Sequence, residues 1–133
     1  MQLYPALVSI LALIMYMVFT VNVGKARGRC LVQAPAVSGN QEFERYYRVQ
    51  MNTLEQLIVF LPALWIFSTV VYCPLIASAI GMVWIIGRIL YALGYYKDVK
   101  KRFAGFVISI IATSALLLGS LGGILLKVFG LYV

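Results

Sequence analysis

Four polar residues lie at helical spacing in a segment that leads directly into an apolar run. They are Glu44, Arg48, Asn52 and Glu55, separated by four, four and three positions, so an α-helix would carry them on one face. An ionisable side chain in a bilayer costs about 2.5–3.5 kcal/mol on insertion scales, and such residues are usually functional. The spacing therefore predicts a polar face that contacts a ligand, a water-filled cleft or a partner rather than lipid.

A second polar face follows in the third apolar segment, where Arg88, Tyr91 and Tyr95 stand at i, i+3 and i+7. Arg27 and Arg102, in the first and third polar connections, border the same side of the membrane. Guanidinium groups pair with carboxylates through two parallel hydrogen bonds, so this inventory suits a small zwitterionic or anionic ligand with several carboxylates. Internal salt bridges, for example between the first face's glutamate and arginine, explain the same residues equally well.

Composition excludes several kinds of chemistry. The chain has no histidine, which removes the Ser–His and Cys–His nucleophile pairs and most zinc sites. Its two cysteines, Cys30 and Cys73, are predicted on opposite sides of the membrane, so we expect neither a disulfide nor a metal site. The net charge of +7 is concentrated at two connections, which indicates membrane topology rather than nucleic-acid binding.

Lipid is the predicted solvent of this chain, which is 63% hydrophobic and 11% charged. Four apolar segments predict helices at about 3–26, 43–72, 75–97 and 103–128 within a single domain over 1–133, because a spanning helix needs about 20 apolar residues. The first segment is predicted to be a retained helix rather than a signal peptide. Residues 24–41 are predicted to form a polar connection, and Pro62 should kink the second helix.

Basic residues set the predicted orientation. The first and third connections carry most of the lysines and arginines, so both should face the cytoplasm and both termini the opposite side. The predicted fold is therefore all-α, an integral membrane antiparallel four-helix bundle. Small residues are frequent in the fourth helix, which favours close packing with another helix or subunit.

Two motifs, in order, carry a family resemblance. The first reads Gly39-x-x-x-Phe43-Glu44-Arg45-x-Tyr47-x-x-Gln50-x-Asn52, and the second is GRILYALGYYKDVKKRFAGF over residues 87–106. Together they resemble the MAPEG family, the membrane-associated proteins in eicosanoid and glutathione metabolism, over nearly the whole chain. The resemblance is greatest to the branch of type 2 microsomal glutathione S-transferases and leukotriene C4 synthases. It implies a homotrimer that binds glutathione between subunits, near the cytoplasmic side of what we expect to be a bacterial inner membrane.

The resemblance also implies residue roles. Residues of one subunit would contact glutathione, namely Arg48, Asn52, Glu55, Tyr91 and Tyr95. Arg27 and Gln50 would contribute from the neighbouring subunit, and Arg102 would be the catalytic arginine beside the sulfur. A thiol with a pKa near 8.5 is only a few per cent thiolate at pH 7, so a guanidinium that favours the anion would remove the need for a general base.

Several positions depart from that branch. Tyr46, Val49 and Thr53 stand where it usually has Val, Ala and Cys, and these positions lie on other faces of the second helix. Gln56 replaces a tyrosine that often follows the family's glutamate, which puts one ligand contact in doubt. Gly28 replaces a second arginine of leukotriene C4 synthases, which argues against leukotriene A4 as the substrate.

The resemblance favours a glutathione transferase that conjugates hydrophobic electrophiles arriving from membrane lipid, with reduction of lipid hydroperoxides as a second activity. The alternative is a non-catalytic lipid- or fatty-acid-binding protein resembling the 5-lipoxygenase-activating protein. That relative lacks the arginines matching Arg48 and Arg102, so their presence favours the enzyme. A third hypothesis, a small four-helix drug exporter, expects a glutamate in the first helix, and this chain has none there.

Overall fold

The computed structural model describes residues 2–131, and over that range the chain is helical with short connections. The four α-helices are Leu3–Arg29 (α1), Gln41–Val70 (α2), Pro74–Lys97 (α3) and Phe103–Val128 (α4), with a short 3-10 helix, η1, at Val99–Arg102. All four α-helices are long and apolar enough to cross a membrane. The predicted all-α four-helix architecture is confirmed. Residues 1, 132 and 133 of the predicted domain lie outside the described residues.

The first helix continues beyond its predicted end. The prediction that the connection starts at residue 24 is wrong, because α1 runs through both of its glycines to Arg29. Its last turns bury Val23 and Ala26 in a cluster with Val32 and Phe43. A glycine in a helix costs about 1 kcal/mol relative to alanine, and burial of these apolar side chains offsets that cost. The polar connection is therefore confined to residues 30–40.

The second helix begins with a side-chain cap that was not predicted from the sequence. The Asn40 side chain accepts a hydrogen bond from the backbone nitrogen of Phe43 at 3.0 Å, which satisfies one of the free N–H groups at the helix start. The helix then continues without interruption through Pro62 to Val70. Pro74 occupies the first turn of α3, where its missing N–H costs nothing.

The third helix packs against α1, α2 and α4. Its Trp84 ring stacks on Phe60 of α2 with centroids 3.9 Å apart, and both side chains are fully buried. The helices α3 and α4 lie in close contact at Gly105, where a Cβ would overlap the backbone of Tyr91. The small residues of α4 thus permit close packing at this position, whereas Gly122 faces open space.

The α1–α2 and α3–α4 connections lie at the same end of the bundle, where polar and aromatic contacts join α1 and α2 to the end of α3. Arg45 donates from Nε to the carbonyl oxygen of Tyr96 at 3.2 Å. The amide of Asn22 lies 3.4 Å from the hydroxyl of the same tyrosine, and the Tyr46 and Tyr96 rings stack with centroids 4.0 Å apart. These contacts fix α2 against the end of α3, next to the cleft described below.

Candidate functional site

A cleft of about 430 Å³ opens between α2, α3 and the start of α4. Its lining side chains are Arg48, Asn52, Tyr91, Tyr95, Arg102, Phe103 and Phe106. Two arginines and no carboxylate line it, so the cleft of one chain favours an anionic ligand with hydrogen-bond acceptors. The four aromatic side chains of the lining form a wall beside that charge.

The helical period explains the contribution of α2. Arg48 and Asn52 are one turn apart and both line the cleft, as the shared helix face predicts. Glu44 lies outside it and borders a shallower neighbouring depression, again with Arg48. Glu55 is exposed on the surface of the single chain and does not line the cleft. The predicted face is therefore divided, because only its central two residues meet α3 and η1.

The position of Arg102 depends on the α3–α4 connection. The carboxylate of Asp98 accepts a hydrogen bond from the backbone nitrogen of Lys100 at 3.0 Å and caps η1. Gly94 allows the backbone of Lys101 to lie directly against α3, because a Cβ there would overlap the Lys101 carbonyl group. The Arg102 guanidinium consequently lies over the Tyr95 ring, 5.5 Å from its centroid. A cation at this distance from a tyrosine face is attracted to it.

The aromatic wall is formed by two tyrosines of α3 and two phenylalanines of α4. The Tyr91 and Tyr95 rings meet edge to face with centroids 5.4 Å apart, and both residues are buried. Phe106 of α4 lies beyond them, with its centroid 6.4 Å from that of Tyr91. This packing fixes where the two phenol groups stand relative to Arg48 and Arg102.

Beneath the cleft lies Arg88, whose spacing predicts the same helix face as the two tyrosines but which is not among the predicted ligand contacts. It is fully buried. Its Nη2 donates to Asn52 Oδ1 and to Thr53 Oγ1, each at 2.8 Å, and its guanidinium lies 4.1 Å from the centroid of the Tyr91 ring. Arg88 thus touches two lining residues from two helices.

Arg27 and Gln50 lie elsewhere in the same chain, at the contact of α1 with α2 and the connection. Arg27 donates from Nη1 to the carbonyl oxygen of Ala36 at 2.7 Å and lies over the Phe43 ring. Gln50 donates to Thr20 Oγ1 at 3.1 Å. Neither lines the cleft of its own chain, so any contact of theirs with a ligand there requires a second copy.

Salt bridges within the chain do not account for the polar face of α2. Among residues 2–131 the one ion pair within 4.0 Å joins Arg29 Nη2 to Glu42 Oε1, at 2.8 Å, and the Glu44–Arg48 pair considered from the sequence is not formed. The same Glu42 carboxylate lies 3.5 Å from Cys30 Sγ. Burial and this hydrogen bond raise the pKa of the Cys30 thiol. Cys30 and Cys73 are both free thiols.

Comparison with known proteins identifies the family. Residues 5–122 match the MAPEG family. The chain belongs to the MAPEG family. The family and the four apolar helices together make it an integral, multi-pass membrane protein.

Its relatives include proteins with and without a named activity. It is 49% identical to "Uncharacterized protein sll1147" of Synechocystis, over 92% of this chain and 89% of that protein. It is 42% identical to human microsomal glutathione S-transferase 2, over 88% and 80% of the two chains. It is 32% identical to bovine leukotriene C4 synthase, over 74% and 65%. These similarities confirm the resemblance drawn from the two motifs.

Proposed function

We propose that this MAPEG protein is a glutathione transferase that activates the thiol of glutathione and conjugates it to hydrophobic electrophiles. The observation that carries the proposal is the convergence of Arg48 and Arg102, from separate elements, on one cleft with an aromatic wall. The similarity to proteins named glutathione S-transferase and leukotriene C4 synthase supports a glutathione-related membrane enzyme.

The cleft offers glutathione a donor-rich surface. Glutathione has two carboxylates and two peptide carbonyls, all hydrogen-bond acceptors. Arg48, Asn52, Tyr91 and Tyr95 would hold these groups, because guanidinium, amide and phenol groups donate hydrogen bonds and all four side chains line the cleft. The ammonium of the ligand needs an anion, and the carboxylate nearest to this face along α2 is Glu55, one turn further into the bundle.

A homotrimer would complete the site. Glu55 is exposed on the single chain although it belongs to a helix long and apolar enough to cross the bilayer, and an uncovered carboxylate at that depth is costly. A second copy packed over this face would cover it and could bring its own Arg27 and Gln50 to the ligand. Native mass spectrometry of the detergent-solubilised protein tests this part of the proposal, and a monomer that still binds glutathione would contradict it.

We assign Arg102 to activation of the glutathione thiol. A cation beside the thiol favours the thiolate. If it lowers the thiol pKa by about two units from 8.5, the thiolate fraction at pH 7 rises about 25-fold. The thiol proton passes to water. The sulfur then forms a bond to the electrophilic carbon, and the leaving group departs with its electron pair.

Reduction of a lipid hydroperoxide would start from the same thiolate. The thiolate takes the terminal oxygen, the O–O bond breaks to leave a lipid alcohol, and a second glutathione gives the disulfide and water. Non-catalytic lipid binding would need neither arginine in the cleft, which is why the transferase is preferred.

The assay uses purified protein in detergent with glutathione and 1-chloro-2,4-dinitrobenzene, which releases chloride on conjugation. We expect Arg102→Ala to bind glutathione while losing most conjugation and most of the thiolate absorbance near 240 nm. Lys101→Ala is the matched control, because Lys101 is the neighbouring exposed cation and does not line the cleft. Wild-type protein that binds no glutathione would refute the proposal. A thiolate band unchanged in Arg102→Ala would refute the role of that residue.

We further propose a bacterial inner-membrane location with the cleft toward the cytoplasm. The cyanobacterial relative and the basic residues at the cleft end of the bundle support it. The two free cysteines give a direct test, because they lie at opposite ends of the bundle. In intact cells stripped of the outer membrane, an impermeant maleimide should label Cys73 and leave Cys30 unlabelled, and the reverse pattern would contradict the orientation.

A further inference from the structure

The buried guanidinium of Arg88 has no carboxylate to neutralise it. None of the described residues 2–131 places an acidic oxygen within 4.0 Å of it. Two of its nitrogens, Nε and Nη1, are buried and have no hydrogen-bond partner in the protein. A cation kept dry with incomplete hydrogen bonding is costly, so simple stabilisation of the bundle does not explain why an arginine stands here.

The two bonds that Arg88 does make determine the orientation of a cleft residue. Arginine donates hydrogen bonds and accepts none, so the side-chain atom of Asn52 that faces Arg88 Nη2 at 2.8 Å must be the oxygen, Oδ1. Because the oxygen of the amide points down to Arg88, the Nδ2 donor is the polar group that Asn52 has left for the cleft it lines. Without Arg88, the amide could turn over and present an acceptor instead.

The same guanidinium supports the wall on the other side. It lies 4.1 Å from the centroid of the Tyr91 ring, and its second acceptor, Thr53 Oγ1, is fully buried behind the cleft. Arg88 of α3 therefore donates two hydrogen bonds to α2 and supports Tyr91, a cleft residue of its own helix.

We propose that Arg88 is a positioning residue, which supports Tyr91 and orients the Asn52 amide so that its Nδ2 donor faces the acceptor groups of the ligand. This inference rests on the proposed function, since the ligand used to test it is glutathione. It assigns Arg88 to ligand affinity and leaves activation of the sulfur to Arg102. The other charged or titratable groups at the cleft are Arg48 from α2, Tyr95 from α3 and Arg102 from η1.

The test compares Arg88→Met, Arg88→Lys and Thr53→Val with wild type in equilibrium binding of glutathione and in steady-state conjugation. Arg88→Met loses the charge-assisted bond to Asn52, so we expect the glutathione Kd and KM to rise about tenfold with kcat within twofold of wild type. Arg88→Lys keeps one donor group that can reach an oxygen, so we expect its glutathione Kd to rise about threefold. Thr53→Val removes the bond that does not serve the cleft, so its Kd should stay within twofold of wild type.

The outcomes separate this inference from the proposed function. Wild-type protein without glutathione binding would refute the proposed function itself. If wild type binds and Arg88→Met binds equally well, the positioning role is refuted. A fall in kcat at unchanged Kd would also overturn it, because Arg88 would then act on the sulfur. If Arg88→Met does not fold, the comparison of Arg88→Lys with Thr53→Val decides, and equal affinities for those two variants would refute the inference.

Discussion

The close approach of α3 and α4 at Gly105 places the start of α4 against the part of α3 that carries Tyr91. A Cβ at this position would overlap the backbone nitrogen and Cα of Tyr91 and the carbonyl oxygen of Gly87. All of these atoms belong to the main chain of α3 and cannot rotate away. Gly105→Ala must therefore displace α4 from α3, next to the connection that carries Arg102.

The size of the effect follows from two opposing terms. Overpacking of a well-packed contact costs about 1–3 kcal/mol, and the upper end applies where the obstacle is backbone. Alanine is better than glycine in a helix by up to about 1 kcal/mol. We therefore expect the free energy of unfolding to fall by about 2 kcal/mol in Gly105→Ala. The separation should also move Tyr91 and Phe106 relative to Arg102, so we expect glutathione affinity to fall together with stability.

The assay is thermal unfolding in detergent micelles, followed by circular dichroism, with glutathione binding measured on the same preparations. Gly122→Ala is the matched control, because it lies on the same helix and faces open space. It should gain up to about 1 kcal/mol from helix propensity alone. If Gly105→Ala unfolds at or above the temperature of wild type, the close contact of α3 with α4 does not limit stability and the reasoning fails.

Two further predictions concern the cap of α2 and the cysteine beside it. Asn40→Ala should destabilise the protein by about 1 kcal/mol because Phe43 N loses its acceptor. The control Gln41→Ala, at an exposed position, should unfold near the wild-type temperature. Equal unfolding temperatures for the two variants would contradict the cap. The raised pKa of Cys30 keeps its thiol protonated to higher pH, so iodoacetamide should modify it at pH 8 more slowly than a cysteine of the unfolded chain. Glu42→Gln removes the carboxylate and lowers that pKa, which should speed the reaction, and an unchanged rate would refute the assignment.

Much of the fold could be predicted because its causes are local. Runs of about 20 apolar residues can be satisfied in lipid only by helices, and the basic connections indicate which ends of the helices lie together. The end of α1 could not be predicted in this way. Two glycines and two arginines resemble a loop, and the helix persists because Val23 and Ala26 pack against Val32 of the connection and Phe43 of α2.

The candidate site was predictable to the extent that it follows helical periodicity. A period of 3.6 residues places Arg48 with Asn52, and Tyr91 with Tyr95, on single faces whatever the packing. Thr53 shows the limit of this reasoning. It departs from the family on another face of α2, away from the predicted polar face, but it accepts a hydrogen bond from Arg88 because α3 crosses there.

The sequence by itself therefore determined the membrane helices, the two polar faces and the family. Only the tertiary structure decided which residues of those faces meet. It brought Arg102 from η1 over Tyr95, separated Glu44 and Glu55 from the cleft, and placed Arg88 beneath Asn52 rather than inside the cleft. The physical reason is that periodicity fixes the direction of a side chain from its own helix axis. What the side chain touches depends on how closely the helices approach, and between α3 and α4 that distance is set by a missing Cβ at Gly105.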